Sequence, residues 1–323
     1  MPSFLIGILV LVILLILMFI LFGFLFFHIA FSTKKRRPLW DEPYLKARFI
    51  EGNYGFIHSW HNQQHFEKVE LKSFDGLTLR ARRLNAKSNQ TVILVHGYRS
   101  NANRLLEWAH HYYEQLHFNV LLVDLRGHGT SDGFTVGMGF LDSLDLRQWT
   151  LMESKRVGDS GAIILHGLSM GAASVLNLSN QHLPPCVRFF VADSAFTEAK
   201  QELLYKLNYT FHLPAFPIYH LAALFYRIKV GYALKFSCPL ERVAHARYPI
   251  LFIHGAADDY VPLSMAMTLF EATQGEKDLY VVPKASHTFA YRLDPNAYFA
   301  RIERMIEKYV PKSILLEKQM QMK

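Results

Sequence analysis

The amino-acid sequence predicts an α/β fold with a mostly parallel sheet, preceded by one transmembrane helix. From residue 91 onward, short apolar runs bounded by Gly, Pro or Asp alternate with longer stretches of helical spacing. Continuous apolar strands of this kind belong to parallel sheets that helices cover on both faces. Ahead of them, residues 4–31 form a run of 28 residues without a formally charged side chain, which is long enough to cross a bilayer.

The N-terminal segment, residues 1–33, is interpreted as an uncleaved membrane span. A helix of 28 residues is about 42 Å long, more than the roughly 30 Å hydrocarbon core of a bilayer. A cleaved signal peptide would need basic residues before a shorter apolar run, whereas here Lys34, Lys35, Arg36 and Arg37 follow the run. By the positive-inside rule these four residues predict a single-pass protein of the cell membrane, with everything after Arg37 in the cytoplasm.

Composition excludes several classes of protein. The chain has 323 residues, a net charge of +8 and two cysteines, Cys186 and Cys238, which are too few for a disulfide framework. Half of the net charge belongs to the basic tetrad at residues 34–37, where contact with anionic lipid headgroups explains it better than nucleic-acid binding. Nucleic acid is therefore not an expected partner. The expected partner is the membrane, which the N-terminal helix contacts.

Residues 34–65 mix aromatic and charged side chains without a clear period, and they are predicted to be a juxtamembrane connector. The folded domain is predicted over residues 66–323. It begins with strands at 69–73 and 77–82, joined through Asp75-Gly76, a strong hairpin signal. Six further apolar strands are predicted at 91–96, 120–124, 162–166, 189–193, 250–254 and 279–282.

One connection between these strands is too long for an ordinary crossover. Between Asp193 and Pro249 lie 55 residues, where a parallel crossover needs about a dozen. Residues 195–248 are therefore predicted to be an insertion. It contains eleven Phe or Tyr residues and carries a net charge of +4, a composition that favours binding of apolar groups and of neutral or anionic rather than cationic molecules.

The strongest chemical motif is Gly167-Leu168-Ser169-Met170-Gly171, placed directly between a predicted strand and a helix. In a strand-turn-helix elbow the nucleophile lies in a strained turn, and the residues two before and two after it must be small. A glycine-rich turn that only packs a helix on the sheet is the alternative interpretation. The strand and helix on either side favour Ser169 as a nucleophile.

A serine hydroxyl becomes a good nucleophile only when a histidine takes its proton and a carboxylate orients the imidazole. His287 lies in the loop after the last predicted strand, and Asp258 lies in the loop after the preceding strand. Both loops leave the same edge of a parallel sheet as Ser169, where ligands of such sheets bind. The chain order Ser, Asp, His is the order known for this elbow.

These motifs resemble those of the α/β-hydrolase family, over about residues 66–310, and look most like bacterial esterase-like or prolyl-peptidase-like members. The matching pieces are Ser73-Phe74-Asp75-Gly76, His96-Gly97, Asp124-Leu125-Arg126-Gly127-His128-Gly129, Gly167 to Gly171, Gly255 to Pro262, and His287. The resemblance implies an α/β-hydrolase fold with a helical lid at the insertion. It also implies that the acid is the residue three after Gly255, which is Asp258; Asp259 and Asp193 stay open as alternatives.

The oxyanion hole is expected to be two backbone N–H groups, from Tyr98 and Met170. The loop 124–129, including His128, is predicted to be structural. His96, His166 and His254 end strands and are expected to make core hydrogen bonds. No metal-ligand or phosphate-loop motif occurs, and no cofactor is expected.

Three functions are compatible with these motifs. The first is a membrane-anchored serine hydrolase that cleaves small-molecule carboxylic esters through a covalent acyl-enzyme, with Ser169 as nucleophile, His287 as base and Asp258 as acid. The second is a serine peptidase that uses the same groups. The third is a catalytically inactive binding module held at the membrane, which the intact candidates for all three roles argue against.

Overall fold

The computed structural model describes residues 2–33 and 54–311, and its centre is one eight-stranded sheet. The strands are β1 (Glu67–Lys72), β2 (Thr78–Leu84), β3 (Gln90–Val95), β4 (Asn119–Asp124), β5 (Ala162–Leu168), β6 (Val187–Asp193), β7 (Ile250–Gly255) and β8 (Lys277–Val282). Each strand expected from the sequence is present, within two residues of its expected ends. The predicted α/β class is confirmed.

The strand order across the sheet is β1-β2-β4-β3-β5-β6-β7-β8. β2 is antiparallel to both of its neighbours, β1 and β4. All pairs from β4 across to β8 are parallel. The carboxyl ends of β3 to β8 therefore meet at one edge of the sheet, which is where the fold can gather side chains from distant parts of the chain.

Helices follow the strands, as the alternation predicts. They are α1 (Pro2–Phe31), α2 (Tyr54–Gln63), α3 (Leu106–His110), α4 (Phe140–Val157), α5 (Met170–Leu176), α6 (Ala199–Tyr205), α7 (Ala215–Val230), α8 (Pro239–Val243), α9 (Leu263–Ala272), α10 (Ala290–Leu293) and α11 (Pro295–Tyr309). α3 and α11 pack with Val92 and Leu94 of β3 in one core cluster. α4 lies outside that cluster and contacts β3 and β5, so both faces of β3 are covered and all of its residues are buried.

Part of the predicted connector is a helix. Of residues 34–65, only 54–65 belong to the described residues, and Tyr54–Gln63 forms α2. The buried side chains of α2 are Ile57 and Trp60, one turn apart, and the Trp60 indole N–H donates to Glu114. Two buried side chains in a mostly polar ten-residue segment do not give a helical period that can be recognised in the sequence. The helix is stabilised by its packing on the core rather than by its own sequence pattern. The basic tetrad at 34–37 lies outside the described residues.

The described residues form two compact units. One combines α1 with Glu198–Ser237, which is most of the predicted insertion; the other contains the sheet. The insertion is helical, as expected. α1 is long and apolar enough to cross a membrane, which is compatible with a membrane anchor or with a signal sequence.

A buried ion-pair network holds the loop that follows β4. The Arg126 guanidinium donates to both carboxylate oxygens of Asp145, at 2.7 and 2.8 Å, and to those of Asp75 at 2.9 and 3.2 Å. Burial by itself would lower the pKa of Arg126, but these carboxylates outweigh it and raise that pKa. This arrangement supports the prediction that residues 124–129 are structural.

We expect Arg126→Met to lower the free energy of unfolding by about 3–5 kcal/mol, because it leaves buried Asp145 without its partner. Arg80→Met is the matched control, since Arg80 also pairs with two carboxylates, Glu70 and Asp132. The Arg80 side chain is 33% exposed, against 4% for Arg126, so solvent screens its pairs and the loss should be much smaller. Urea unfolding of the full chain in detergent micelles, followed by tryptophan fluorescence, measures both; equal losses would contradict the structural role of Arg126.

Candidate active site

Ser169 lies in the turn between β5 and α5, with φ 56° and ψ −119°. An L-residue in this region of backbone space carries about 1–3 kcal/mol of strain, which persists only where the surrounding structure enforces it. Part of that enforcement is a hydrogen bond of 2.7 Å from the Ser169 N–H to the Asp193 carbonyl at the end of β6. The turn thus holds the Ser169 side chain at the carboxyl edge of the sheet.

The two glycines of the elbow allow this turn by close backbone contact. A Cβ added to Gly167 would lie 2.2 Å from the carbonyl oxygen of Gly171, and one added to Gly171 would lie 2.2 Å from the carbonyl oxygen of Val95. No side chain fits at such distances. The requirement for small residues two before and two after Ser169 is therefore a matter of backbone packing between the elbow and β3.

His287 connects the serine to a carboxylate. Its Nε2 lies 2.9 Å from Ser169 Oγ, and its Nδ1 lies 2.8 Å from Asp258 Oδ2. Because an ionised carboxylate only accepts, Nδ1 carries the hydrogen, and in the neutral ring Nε2 accepts the serine hydroxyl proton. The three residues are separated by 89 and 29 positions along the chain and meet because each follows a strand of the same parallel sheet.

Asp258 is buried and held by several donors. The backbone N–H groups of Tyr260 and Val261 donate to its Oδ1, at 2.9 and 2.8 Å. Burial by itself would raise the pKa of the Asp258 carboxyl, but hydrogen bonds from His254 and His287 and from the Val261 N–H hold that pKa well below its usual range. The Asp258 carboxylate therefore stays charged at neutral pH, and it lies opposite the His287 imidazole.

The two alternative acids have different surroundings. Asp259, the next residue, is exposed. Asp193 is fully buried, and its two carboxylate oxygens accept hydrogen bonds from Ser194 Oγ and Tyr298 OH, each at 2.9 Å. Burial raises the pKa of Asp193 despite those bonds. The structure thus brings Asp258, and neither alternative, into hydrogen-bond contact with His287 Nδ1.

The predicted oxyanion-hole residues flank the serine. Met170 is the first residue of α5, so its N–H is one of the helix's first four amide groups, which have no partner within the helix. Tyr98 follows Gly97, at which an added Cβ would lie 3.1 Å from the Leu168 carbonyl oxygen and 3.6 Å from Ser169 Oγ. The loop after β3 therefore passes directly beside the serine, one residue before Tyr98.

Two neighbours of the site were not assigned to it by the sequence. His254 Nε2 lies 2.9 Å from the Val261 carbonyl oxygen and 3.3 Å from Asp258 Oδ2, so it braces the Asp258 loop from inside the sheet. Tyr260 packs its ring on His287, with 4.8 Å between the ring centroids. The position of His254 at the end of β7, four residues before Asp258, is the one signal in the sequence that could have indicated the first of these contacts.

The other histidines at strand ends make hydrogen bonds in the core. His96 Nε2 accepts from the Leu125 N–H, and His166 lies between the hydroxyls of Tyr112 and Tyr298. His128 Nε2 accepts from the Arg99 N–H. Within residues 2–33 and 54–311, no group of His, Cys, Asp and Glu side chains is arranged to hold a metal ion.

Solved structures with the same fold include several esterases. The Pyrococcus furiosus esterase PF2001 matches with a TM-score of 0.64 and 20% identity, over 87% of this chain and 98% of that chain. The esterase RhEst1 from Rhodococcus sp. matches with a TM-score of 0.51 and 18% identity, over 75% of this chain and 99% of that chain. At these identities the likeness concerns the fold.

Similar sequences are found in bacteria and yeast. The uncharacterized protein YqkD of Bacillus subtilis is 28% identical over 291 residues, covering 88% of this chain and 92% of its own. Protein bem46 of Schizosaccharomyces pombe is 23% identical over 228 residues, covering 69% of this chain and 71% of its own. A model of the alpha/beta hydrolase family matches residues 92–302, from β3 through most of α11. With its sheet order and its strand-turn-helix elbow, the chain belongs to the α/β-hydrolase family.

Proposed function

We propose that the protein is a membrane-anchored serine hydrolase that cleaves carboxylic esters through a covalent acyl-enzyme. The observation that carries the proposal is the continuous hydrogen-bonded chain from Ser169 Oγ through His287 to Asp258, with 2.9 and 2.8 Å between the bonded atoms. Nucleophile, base and orienting acid within hydrogen-bond reach are the signature of an activated serine.

In the proposed acylation step, Ser169 Oγ attacks the ester carbonyl carbon while its proton passes to His287 Nε2. The resulting imidazolium lies against the Asp258 carboxylate, whose charge stabilises it and whose hydrogen bond to Nδ1 keeps the ring in the reactive tautomer. Collapse of the tetrahedral intermediate breaks the bond to the alcohol, which leaves with the proton from Nε2. The acyl group then remains on Ser169 Oγ.

Deacylation repeats these roles with water. His287 takes a proton from the attacking water, the hydroxide adds to the acyl carbon, and Ser169 Oγ leaves with the proton that His287 returns. The backbone N–H groups of Tyr98 and Met170 are proposed to stabilise the oxyanion of both tetrahedral intermediates, where such donors are worth about 2.7–4 kcal/mol each. No cofactor takes part in this scheme.

Ester substrates and the membrane anchor rest on two further observations. The proteins whose structures share the fold include two esterases, PF2001 and RhEst1, which favours esters over the peptide amides that the same groups could cleave. The uninterrupted apolar surface of α1 favours an anchor that stays on the protein. The basic residues 34–37 orient the hydrolase unit towards the cytoplasm, and residues 195–248, between β6 and β7, are proposed to act as the lid.

We expect Ser169→Ala and His287→Ala each to remove most activity towards p-nitrophenyl esters, and the double variant to be scarcely worse than either, because the residues act as a unit. Ser174→Ala is the matched control, because Ser174 is buried in α5, directly after the elbow, and its hydroxyl donates to the Met170 carbonyl. A fluorophosphonate probe followed by peptide mapping should label Ser169 alone in the unaltered protein. The proposal would be contradicted if the activity losses of the two single variants added up in the double variant, or if the probe labelled no serine. Cleavage of peptide amides but not of esters would favour the peptidase.

The acid is tested by a pair of adjacent substitutions. Asp258→Asn should lower kcat by about 10⁴-fold, since the amide favours the wrong tautomer of the histidine, while Asp259→Asn should change it little because Asp259 is exposed. Steady-state kinetics on the same ester measures both. The reverse order would move the acid by one residue.

Orientation is tested by proteolysis. If residues 34–37 hold the hydrolase unit in the cytoplasm, protease added to intact cells should leave that unit uncut and should digest it after lysis. An epitope on each terminus, followed by immunoblotting, reports which side is cleaved. Degradation of the hydrolase unit in intact cells would show the opposite orientation.

A further inference from the structure

α1 is longer than a membrane span needs, and its last third differs from the rest. At 1.5 Å per residue its 30 residues measure about 45 Å, roughly 15 Å more than the hydrocarbon core. Residues 4–18 and 20–22 are exposed on every side, whereas buried positions begin at Gly23 and recur on one helical face at Phe26, Phe27, Ala30 and Phe31. The exposed part alone, about 19 residues, matches the bilayer.

The insertion helix α7 covers this buried face. Phe225 packs its ring on Phe24 and Phe27, with 5.6 and 6.3 Å between centroids, and Tyr226 packs on Phe31 at 4.6 Å. At Gly23 an added Cβ would lie 2.4 Å from the Leu221 Cβ. Small residues permit such close approach of helices in and near membranes. The excess length of α1 is therefore used to bind the insertion.

These contacts also define the direction of α7. Gly23 meets Leu221 and Phe31 meets Tyr226, so residue numbers rise together along the two helices. α7 thus runs beside the end of the span in the same direction as α1, and its first turns lie nearest to the exposed part of α1. If α1 spans the bilayer, the first turns of α7, up to about Leu224, lie at the level of the lipid headgroups, and its last turn lies on the aqueous side of them.

The face of the insertion that α1 does not cover is apolar and basic. Phe216 and Ile228 are 74% and 71% exposed, and Leu224 and Tyr209 are also exposed. Arg227 and Lys229 flank Ile228 and are exposed as well. The 38 residues between Glu202 and Glu241 contain no acidic residue. Exposed aromatic and aliphatic side chains with interspersed cations are typical of segments that lie in the interface of an anionic membrane.

We infer that the exposed start of α7, with Phe216 and Leu224, inserts into the lipid interface at the end of the α1 span, and that Arg227 and Lys229, further along the helix, extend to the anionic headgroups from the aqueous side. Its partner is the surface of the bilayer that α1 crosses. Three observations favour lipid over a protein partner. The face is continuous with α1, and it lacks acidic residues. The part of α1 that does not pack on the insertion, residues 4–22, has the length of the bilayer core. The inference rests on the proposed anchoring of α1.

Depth-dependent fluorescence quenching tests it on the full chain. Cys186 and Cys238 are replaced by Ala, and single Leu→Cys substitutions carry an environment-sensitive fluorophore at Leu14, Leu224 or Leu293, with Phe216→Cys as a second test position. Leu14 lies in the exposed part of α1. Leu224 and Leu293 are matched exposed leucines, 49% and 54% exposed, of which Leu293 belongs to the sheet unit. The protein is reconstituted in vesicles of phosphatidylcholine and phosphatidylglycerol.

The inference expects labels at positions 216 and 224 to lose most of their emission to lipids that are spin-labelled near the headgroup. It expects the label at 14 to be quenched by lipids that are spin-labelled deep in the acyl chain, and the label at 293 only by aqueous iodide. If 14 is quenched by the deep label while 216 and 224 are quenched only by iodide, the inference fails and the anchor stands. If 14 is not quenched by lipid, the proposed anchoring fails. Protection of 216 and 224 from both quenchers would mean that protein, such as a second copy of the chain, covers this face, and would overturn the inference.

Discussion

The strained turn at Ser169 is the constraint on which the site depends. A residue with φ 56° would relax if the chain around it allowed, but Gly171 lies against the β3 backbone and the Ser169 N–H is bonded to the Asp193 carbonyl. The elbow is thus held by backbone contacts with its two neighbouring strands. Side chains can vary around it, while any Cβ at Gly167 or Gly171 would collide with backbone atoms.

Parallel strands supply the rest of the site. β5, β7 and β8 end at the same edge, so residues 89 and 29 positions apart lie within hydrogen-bond distance. Charge then distinguishes the carboxylates: Asp258 receives several donors that lower its pKa, whereas burial raises the pKa of Asp193. The pKa values of the two carboxylates near His287 are therefore shifted in opposite directions, down for Asp258 and up for Asp193.

The second compact unit follows a different physical rule. Its two parts, α1 and the insertion, are distant in sequence and are held together by aromatic side chains and one close helix approach at Gly23. Part of the high aromatic content of residues 195–248 therefore serves to pack the insertion on α1.

The sequence by itself determined the α/β class, all eight strands, the elbow, the apolar helix and the residues proposed for the site, because periodicity, glycine spacing and position at a strand end are local properties of the chain. It left three acids open, since Asp258, Asp259 and Asp193 all lie near strand ends. Only the tertiary structure decided which of them reaches His287, that His254 braces Asp258, that Tyr54–Gln63 is helical, and that α7 covers the end of α1. These features depend on contacts between residues far apart in the chain, whose distances and burial are set when the chain folds.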